Sequence, residues 1–214
     1  MDRVIDMDRA RELVADRMLW PKVRDFLWDF APQVHSSWLE GCPASNEDGS
    51  FRVKSWRLSQ LGVGTCFYDF PTEGWGRLPL LDGATLEAIS KWLGALACVD
   101  SLRRVTSGAT VRELKAKLSG VYPDVFAYSM YFKGLKIDTD LKEGESLADF
   151  ILSAGFAMLL KVASDLPKDV LSRMRMKLPK SLSEVKPSPI KQSGINLSLL
   201  LKLKFPEAYK LCCS

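Results

Sequence analysis

Apolar residues recur along most of this chain in steps of three and four. Leu13, Val14 and Met18, with Trp20, line one side of "DMDRARELVADRMLWP" (6–21), and charges cover the other. The acidic start of that segment suits the positive end of a helix dipole. Pro21 ends the first helix and fits the first turn of a second, where Val23, Phe26, Leu27 and Phe30 take helical spacing. Ala31-Pro32 stops it, and "VHSSWLEGCP" (34–43) is expected to add one more turn.

Residues 41–51 have loop composition, and a short helix is expected around "VKSWRLSQLG" (53–62). Between Gly62 and Gly83, turn residues alternate with aromatics, which predicts an ordered, irregular connection and leaves room for a brief strand at "TCFYDF" (65–70). Asp82 or Thr85 then caps a helix carrying Leu86, Ile89, Leu93 and Leu96 on one face, continuing to Val105. Thr110 and Glu113 match a capping box, Leu114 and Leu118 continue the helical spacing, and Gly120 sits where a C-terminal glycine belongs. A further helix restarts after Pro123, with Phe126, Met130 and Tyr131 expected to point inward.

The most apolar stretch is Phe150 to Leu160, bracketed by Asp149 and Lys161 and capped by Ser146. Its eleven residues are about half of the roughly 20 that a spanning helix needs. A helix this apolar belongs inside a bundle, and Ala154, Gly155 and Ala157 would let neighbours approach closely. Pro167 ends it, "KDVLSRMRMKLP" (168–179) reads as a basic helical turn or a short extended piece, "VKPSPIKQSG" (185–194) is linker-like, and residues 195–214 form a last amphipathic segment. These elements predict an all-α fold, a bundle-like single domain over 1–180 with an irregular aromatic and Gly-rich connection. Residues 181–214 are expected to be a linker and amphipathic segment packed on the same domain.

Composition changes this picture little: 47% hydrophobic and 26% charged residues are ordinary globular values. Charge is uneven. The net charge is +4, yet residues 161–214 alone carry +7. In "RMRMKLP", Arg173, Arg175 and Lys177 alternate with apolar residues, and this basic patch is the expected partner-binding site, facing an acidic protein surface. Nucleic acid is disfavoured, because no binding motif accompanies the charge and aromatics are not interleaved with it.

Candidate chemistry is sparse. His35 is the single histidine, and neither a triad nor a zinc site can be assembled around it from local sequence. Carboxylate pairs such as Asp25/Asp29, Asp138/Asp140 and Glu143/Glu145 have no apolar pocket in the sequence to shift a pKa. "GVG" (62–64) lacks the rest of a dinucleotide fingerprint. Cys212-Cys213-Ser214 does not fit a prenylation box, which needs cysteine where Leu211 stands. No catalytic residue, cofactor or metal is expected. The start of the chain lacks signal-peptide features, and with scattered cysteines a reduced, cytoplasmic protein is the simplest expectation.

Three stretches together resemble the SctK family (YscK/PscK/OrgA-like) of type III secretion sorting-platform adaptors. They are Leu86 to Gly120 with its central Leu93-Gly94, "LSGVYPDVFAYSM" (118–130), and "SAGFAMLLKVASDLPKDVLSRMRMKLP" (153–179). The last ends in an Arg-x-x-x-Lys-Leu-Pro element at Arg173, Lys177, Leu178 and Pro179. The resemblance implies a helical, non-enzymatic adaptor in the bacterial cytosol, at the inner-membrane base of the injectisome and monomeric on its own. It would link the cytoplasmic domain of a SctD-like ring protein to a SctQ-like pod protein, and indirectly to SctL and the SctN ATPase. The alternative is a secretion chaperone or regulatory protein that holds an effector.

Overall fold

The computed structural model describes residues 16–40, 59–62, 66, 68–71, 74–132, 135, 137, 146–183 and 196–213. Among these the regular structure is entirely helical. The elements in chain order are α1 (Leu19–Leu27), α2 (Gly83–Ala97), α3 (Val99–Arg103), α4 (Gly108–Lys117), α5 (Val125–Tyr128), α6 (Leu147–Val162), α7 (Lys168–Met176), α8 (Lys180–Ser183), α9 (Leu197–Lys204) and α10 (Pro206–Cys213). Short 3₁₀ helices occupy Ala31–Gln33, Ser36–Trp38, Trp75–Leu80 and Ser129–Tyr131. The all-α expectation is borne out. Residues 6–15, 41–51, 53–58 and the linker-like 185–194, with the carboxylates at 138–145, lie outside the described residues.

The centre of the molecule is the pair α2 and α6. Both helices begin on an oxygen cap. The Asp82 carboxylate accepts from Thr85 N–H at 2.7 Å, and Ser146 Oγ accepts from Asp149 N–H at 3.1 Å. Such caps satisfy backbone donors that no helix can satisfy itself. α6 buries Ile151 and the run from Gly155 to Leu160, while Phe150, Leu152 and Ala154 are only half-covered. The two helices touch backbone to backbone. A Cβ at Gly94 would collide with Ile151 O, and one at Gly155 with Ser90 O. Leu86, Ile89, Leu93 and Leu96 of α2 are buried in the same core, as the spacing requires.

Around this pair the remaining elements settle. Lys117 at the end of α4 reaches Asp149 of α6 at 2.7 Å and Glu113 at 3.0 Å. Glu113 is thus engaged by Lys117, and the N-cap of α4 is Ser107, not the expected Thr110. Thr110 lies inside the first turn, where a capping conformation is no longer possible. The long helix expected from residue 86 to 105 is broken at Cys98, which separates α2 from α3. α9 and α10 bury Leu197, Leu200, Leu201, Ala208 and Cys212 in the core shared with α2 and α6. α10 is also tied to the Trp75–Leu80 helix, since Gly74 N–H donates to Cys212 O at 2.6 Å and Arg77 to Leu211 O at 3.1 Å. Gly74 has φ of 100°, a conformation open to glycine.

A second apolar cluster lies against the first. Leu19, Val23, Phe26, Phe30 and Val34 from the N-terminal segment meet Cys66, Phe70, Leu80, Val170 and Met176. Phe26 stands edge-on to both Phe30 and Phe70, with centroids 5.6 Å apart in each case. Among the described residues no helix is long and apolar enough to cross a membrane.

Candidate functional site

The three cations expected to form a basic patch, Arg173, Arg175 and Lys177, all lie on or just after α7, and the chain uses them unequally. α7 is a full helix, so Arg173 and Lys177, four residues apart, share one face and Arg175 stands on another. That shared face is turned inward: Arg173 and Lys177 are each 3% exposed. Arg173 donates to Phe26 O and, at 3.0 Å, to Leu27 O, both among the last carbonyls of α1. A cation there answers the negative end of the helix dipole. Its guanidinium also sits 5.2 Å from the Phe30 ring centroid, an attractive placement over an aromatic face.

Lys177 donates from Nζ to Pro79 O at 2.7 Å and Leu81 O at 2.9 Å, closing the Trp75–Leu80 helix, and lies 5.1 Å from the centre of the Phe26 ring. Burial pulls its ammonium down to about 7, against the opposing attraction of Asp82, with Lys22 adding to the fall. Burial likewise lowers Arg173. Arg175 is half-buried, and its Nε is enclosed without a hydrogen-bond partner. Two of the three cations are therefore internal fasteners between α7, α1 and the Trp75–Leu80 helix. Of the two readings of "RMRMKLP", the helical turn is the one realised; only an extended piece would have put all three cations on one side.

The other candidates have plain structural roles. His35 caps the Ser36–Trp38 turn, with Nδ1 2.8 Å from Ser37 Oγ. Asp25 pairs with Arg24 at 2.7 Å on an exposed surface. Cys66, Cys98, Cys212 and Cys213 are free thiols, and burial pushes Cys98 and Cys212 up to about 12. Among the described residues no three metal-ligating side chains converge.

What remains is surface shape. A cleft of about 670 Å³ opens between the start of α1, the start of α2 and α10. Leu19, Leu81, Phe205 and Leu211 line it together with charges of both signs, Asp16, Asp82 and Glu207 against Lys22, Arg77 and Lys210. Among the described residues, the exposed large apolar side chains are Leu203 of α9 and two pairs. Met18 and Trp28 flank α1, where Trp28 stands edge-on to Trp20 at 5.7 Å. Met130 and Tyr131 project from the Ser129–Tyr131 turn, 64% and 57% exposed. Their inward placement was expected from a helix continuing beyond residue 128. The α-helix stops at Tyr128 and tightens into a 3₁₀ turn, which swings both side chains outward.

A family model described as YOP proteins translocation protein K (YscK) matches residues 28–214. The chain belongs to the YscK family. It is a type III secretion protein. No curated protein and no solved structure matches it. The YscK match begins at Trp28, immediately after α1, so Arg173 joins a helix inside the match to one outside it.

Proposed function

We propose that this YscK-family protein is a non-catalytic adaptor of the type III secretion sorting platform. It joins the cytoplasmic domain of a SctD-like inner-membrane ring protein to a SctQ-like pod protein, and through the pod to SctL and the SctN ATPase. It works in the cytosol at the base of the secretion apparatus. Family membership over residues 28–214 carries this reading. The placement of exposed apolar groups supports it. Met18 and Trp28 belong to the N-terminal segment with its own apolar cluster, and Met130 and Tyr131 to a turn between Tyr128 and Phe132, which pack in the core built on α2 and α6. A linker needs two such sites, one for each partner.

Purified full-length chain mixed with the ring protein's cytoplasmic domain and the pod protein should elute as one complex containing all three. Ring domain and pod protein without the chain should elute apart. If the chain takes up neither, or if each excludes the other, it is not the linker. A second reading, a secretion chaperone, is favoured by the cleft beside α10, whose lining includes Leu19, Leu81, Phe205 and Leu211. It predicts that an effector segment, and neither platform component, coelutes with the chain.

A further inference from the structure

We propose that the cleft between α1, α2 and α10 is the seat of this chain's own residues 7–14, which cover it in the unbound protein. This goes beyond the adaptor reading and bears on its alternative: an effector segment entering the cleft would have to displace residues 7–14.

Residues 1–15, outside the described residues, join the structure at Asp16, and Asp16, Met18 and Leu19 all line the cleft. The segment is therefore bonded to the cleft's wall. Asp16 Oδ1 accepts from the N–H groups of Met18 and Leu19 at 2.9 and 3.0 Å, as the oxygen of a helix-starting side chain does. α1 thus starts afresh there and is no continuation of the preceding run. In that run the sequence places Met7, Ala10, Leu13 and Val14 at helical spacing, one apolar stripe, with Asp8, Arg9, Arg11 and Glu12 on the other side. Such a stripe needs an apolar surface to lie on. From Met7 to Asp16 a helix spans about 14 Å, so the whole stripe stays beside the cleft.

The cleft supplies that surface. Its volume of about 670 Å³ lies within the roughly 300–1,000 Å³ of sites that bury most of what they hold. Met18 is 78% exposed, and Phe205 and Leu211 are half-buried, so apolar area there is still uncovered. The charges of the lining balance, and most of them are spent internally. Asp82 holds Thr85, Arg77 holds the carbonyls of Pro71 and Leu211, and Glu207 pairs with Lys210 at 3.0 Å. A seat without net charge suits an occupant without any, and residues 7–14 set Asp8 and Glu12 against Arg9 and Arg11. Attachment at Asp16 also spares this occupant most of the cost that a separate segment pays on association.

The test is amide exchange in the full chain, with a synthetic peptide of residues 1–15 as the unprotected reference. Amides of residues 8–14 should exchange at least tenfold more slowly in the chain than in the peptide. Met18→Asp places a charge in the seat and should bring those amides to within twofold of the peptide. Met130→Asp, at an exposed methionine away from the cleft, is the control and should leave them within twofold of wild type. Both side chains are exposed, so the interiors of α2 and α6 should exchange as in wild type. Leu13→Asp acts from the occupant's side. It should release residues 8–14 and speed exchange over residues 207–211 of α10 at least threefold. Peptide-like exchange of residues 8–14 in the wild-type chain would overturn the seat. So would protection that survives Met18→Asp, or unchanged exchange over 207–211 in Leu13→Asp, since either puts the stripe elsewhere. Protection that fades on dilution, together with a dimer in sedimentation, would make the occupant a second copy and overturn it too.

Discussion

Lys177 is the residue whose chemistry departs furthest from its ordinary behaviour. Its amine meets two carbonyl acceptors, those of Pro79 and Leu81, which is the number of N–H donors a neutral amine offers. Burial accordingly pulls the group down to about 7, well below the value near 10.4 of an unfolded lysine. Between those values the unfolded chain holds a proton that the folded chain lacks. Unfolding then takes up a proton, so this group raises stability with pH through the window from about 7 to 10, while the buried thiols Cys98 and Cys212, held above their unfolded value of about 8.5, act the other way in the upper part of it. The slope is up to about 1.4 kcal/mol per pH unit from this group. Urea unfolding at pH 7, 8 and 9 should show the wild-type advantage over Lys177→Met growing with pH, since the thiols act alike in both chains. That variant also loses stability at every pH, since two buried carbonyls lose their donor, and the slope is the quantity to read. A wild-type profile parallel to the variant's would mean that Lys177 stays charged in the fold. Sequence alone suggested an exposed cation here, because an isolated Arg or Lys is usually solvated. The carbonyls that draw it inward lie nearly 100 residues away along the chain, beyond the reach of any local pattern.

At the scale of elements, the joint between α2 and α6 is the most constrained feature. Gly155 and the neighbouring small residues were legible as a place of close approach, since a small residue in a wholly apolar helix leaves room for a neighbour. That the neighbour is α2, meeting it through Gly94, was not legible from periodicity, although Leu93-Gly94 belonged to the family resemblance. Backbone lies against backbone there, so no flexible side chain can move aside. Gly155→Ala should therefore destabilise by about 1–3 kcal/mol despite the better helix propensity of alanine. Gly108→Ala, at a glycine with open space around its Cβ position, is the matched control and should be neutral or mildly stabilising. Denaturant midpoints of the two variants decide this. Equal effects would show that α2 and α6 can separate without cost. The caps of these helices were readable, Asp82 and Ser146 both standing where an oxygen side chain precedes an apolar run. The box at Thr110 and Glu113 was misread because Glu113 also stands one helical turn before Lys117 and pairs with it, and Ser107 offers an earlier start.

For the whole molecule, the helical class follows from the spacing of apolar residues, and the way the two apolar clusters are fastened does not. α7 supplies that fastening. Val170 and Met176 enter the N-terminal cluster while Met174 enters the core of α2 and α6. Met176 O accepts from His35 N–H at 2.8 Å, and Leu178 O from Trp38 Nε1–H at 2.9 Å. Arg173 completes the clasp at the C-terminal carbonyls of α1. Replacing it with methionine keeps the apolar stem and removes the donors, so the loss should fall on α1 before it reaches the core. Losing a charged hydrogen bond at a buried site costs about 1.5–3 kcal/mol, a ten- to hundredfold change in an opening equilibrium. Amide exchange in Arg173→Met should accelerate by that factor over residues 23–30, while the interiors of α2 and α6 exchange at wild-type rates. Uniform acceleration across all helices would mean that the two clusters open as one unit. Unchanged exchange over α1 would mean that Phe26, wedged between Phe30 and Phe70, holds the helix without help from the cation.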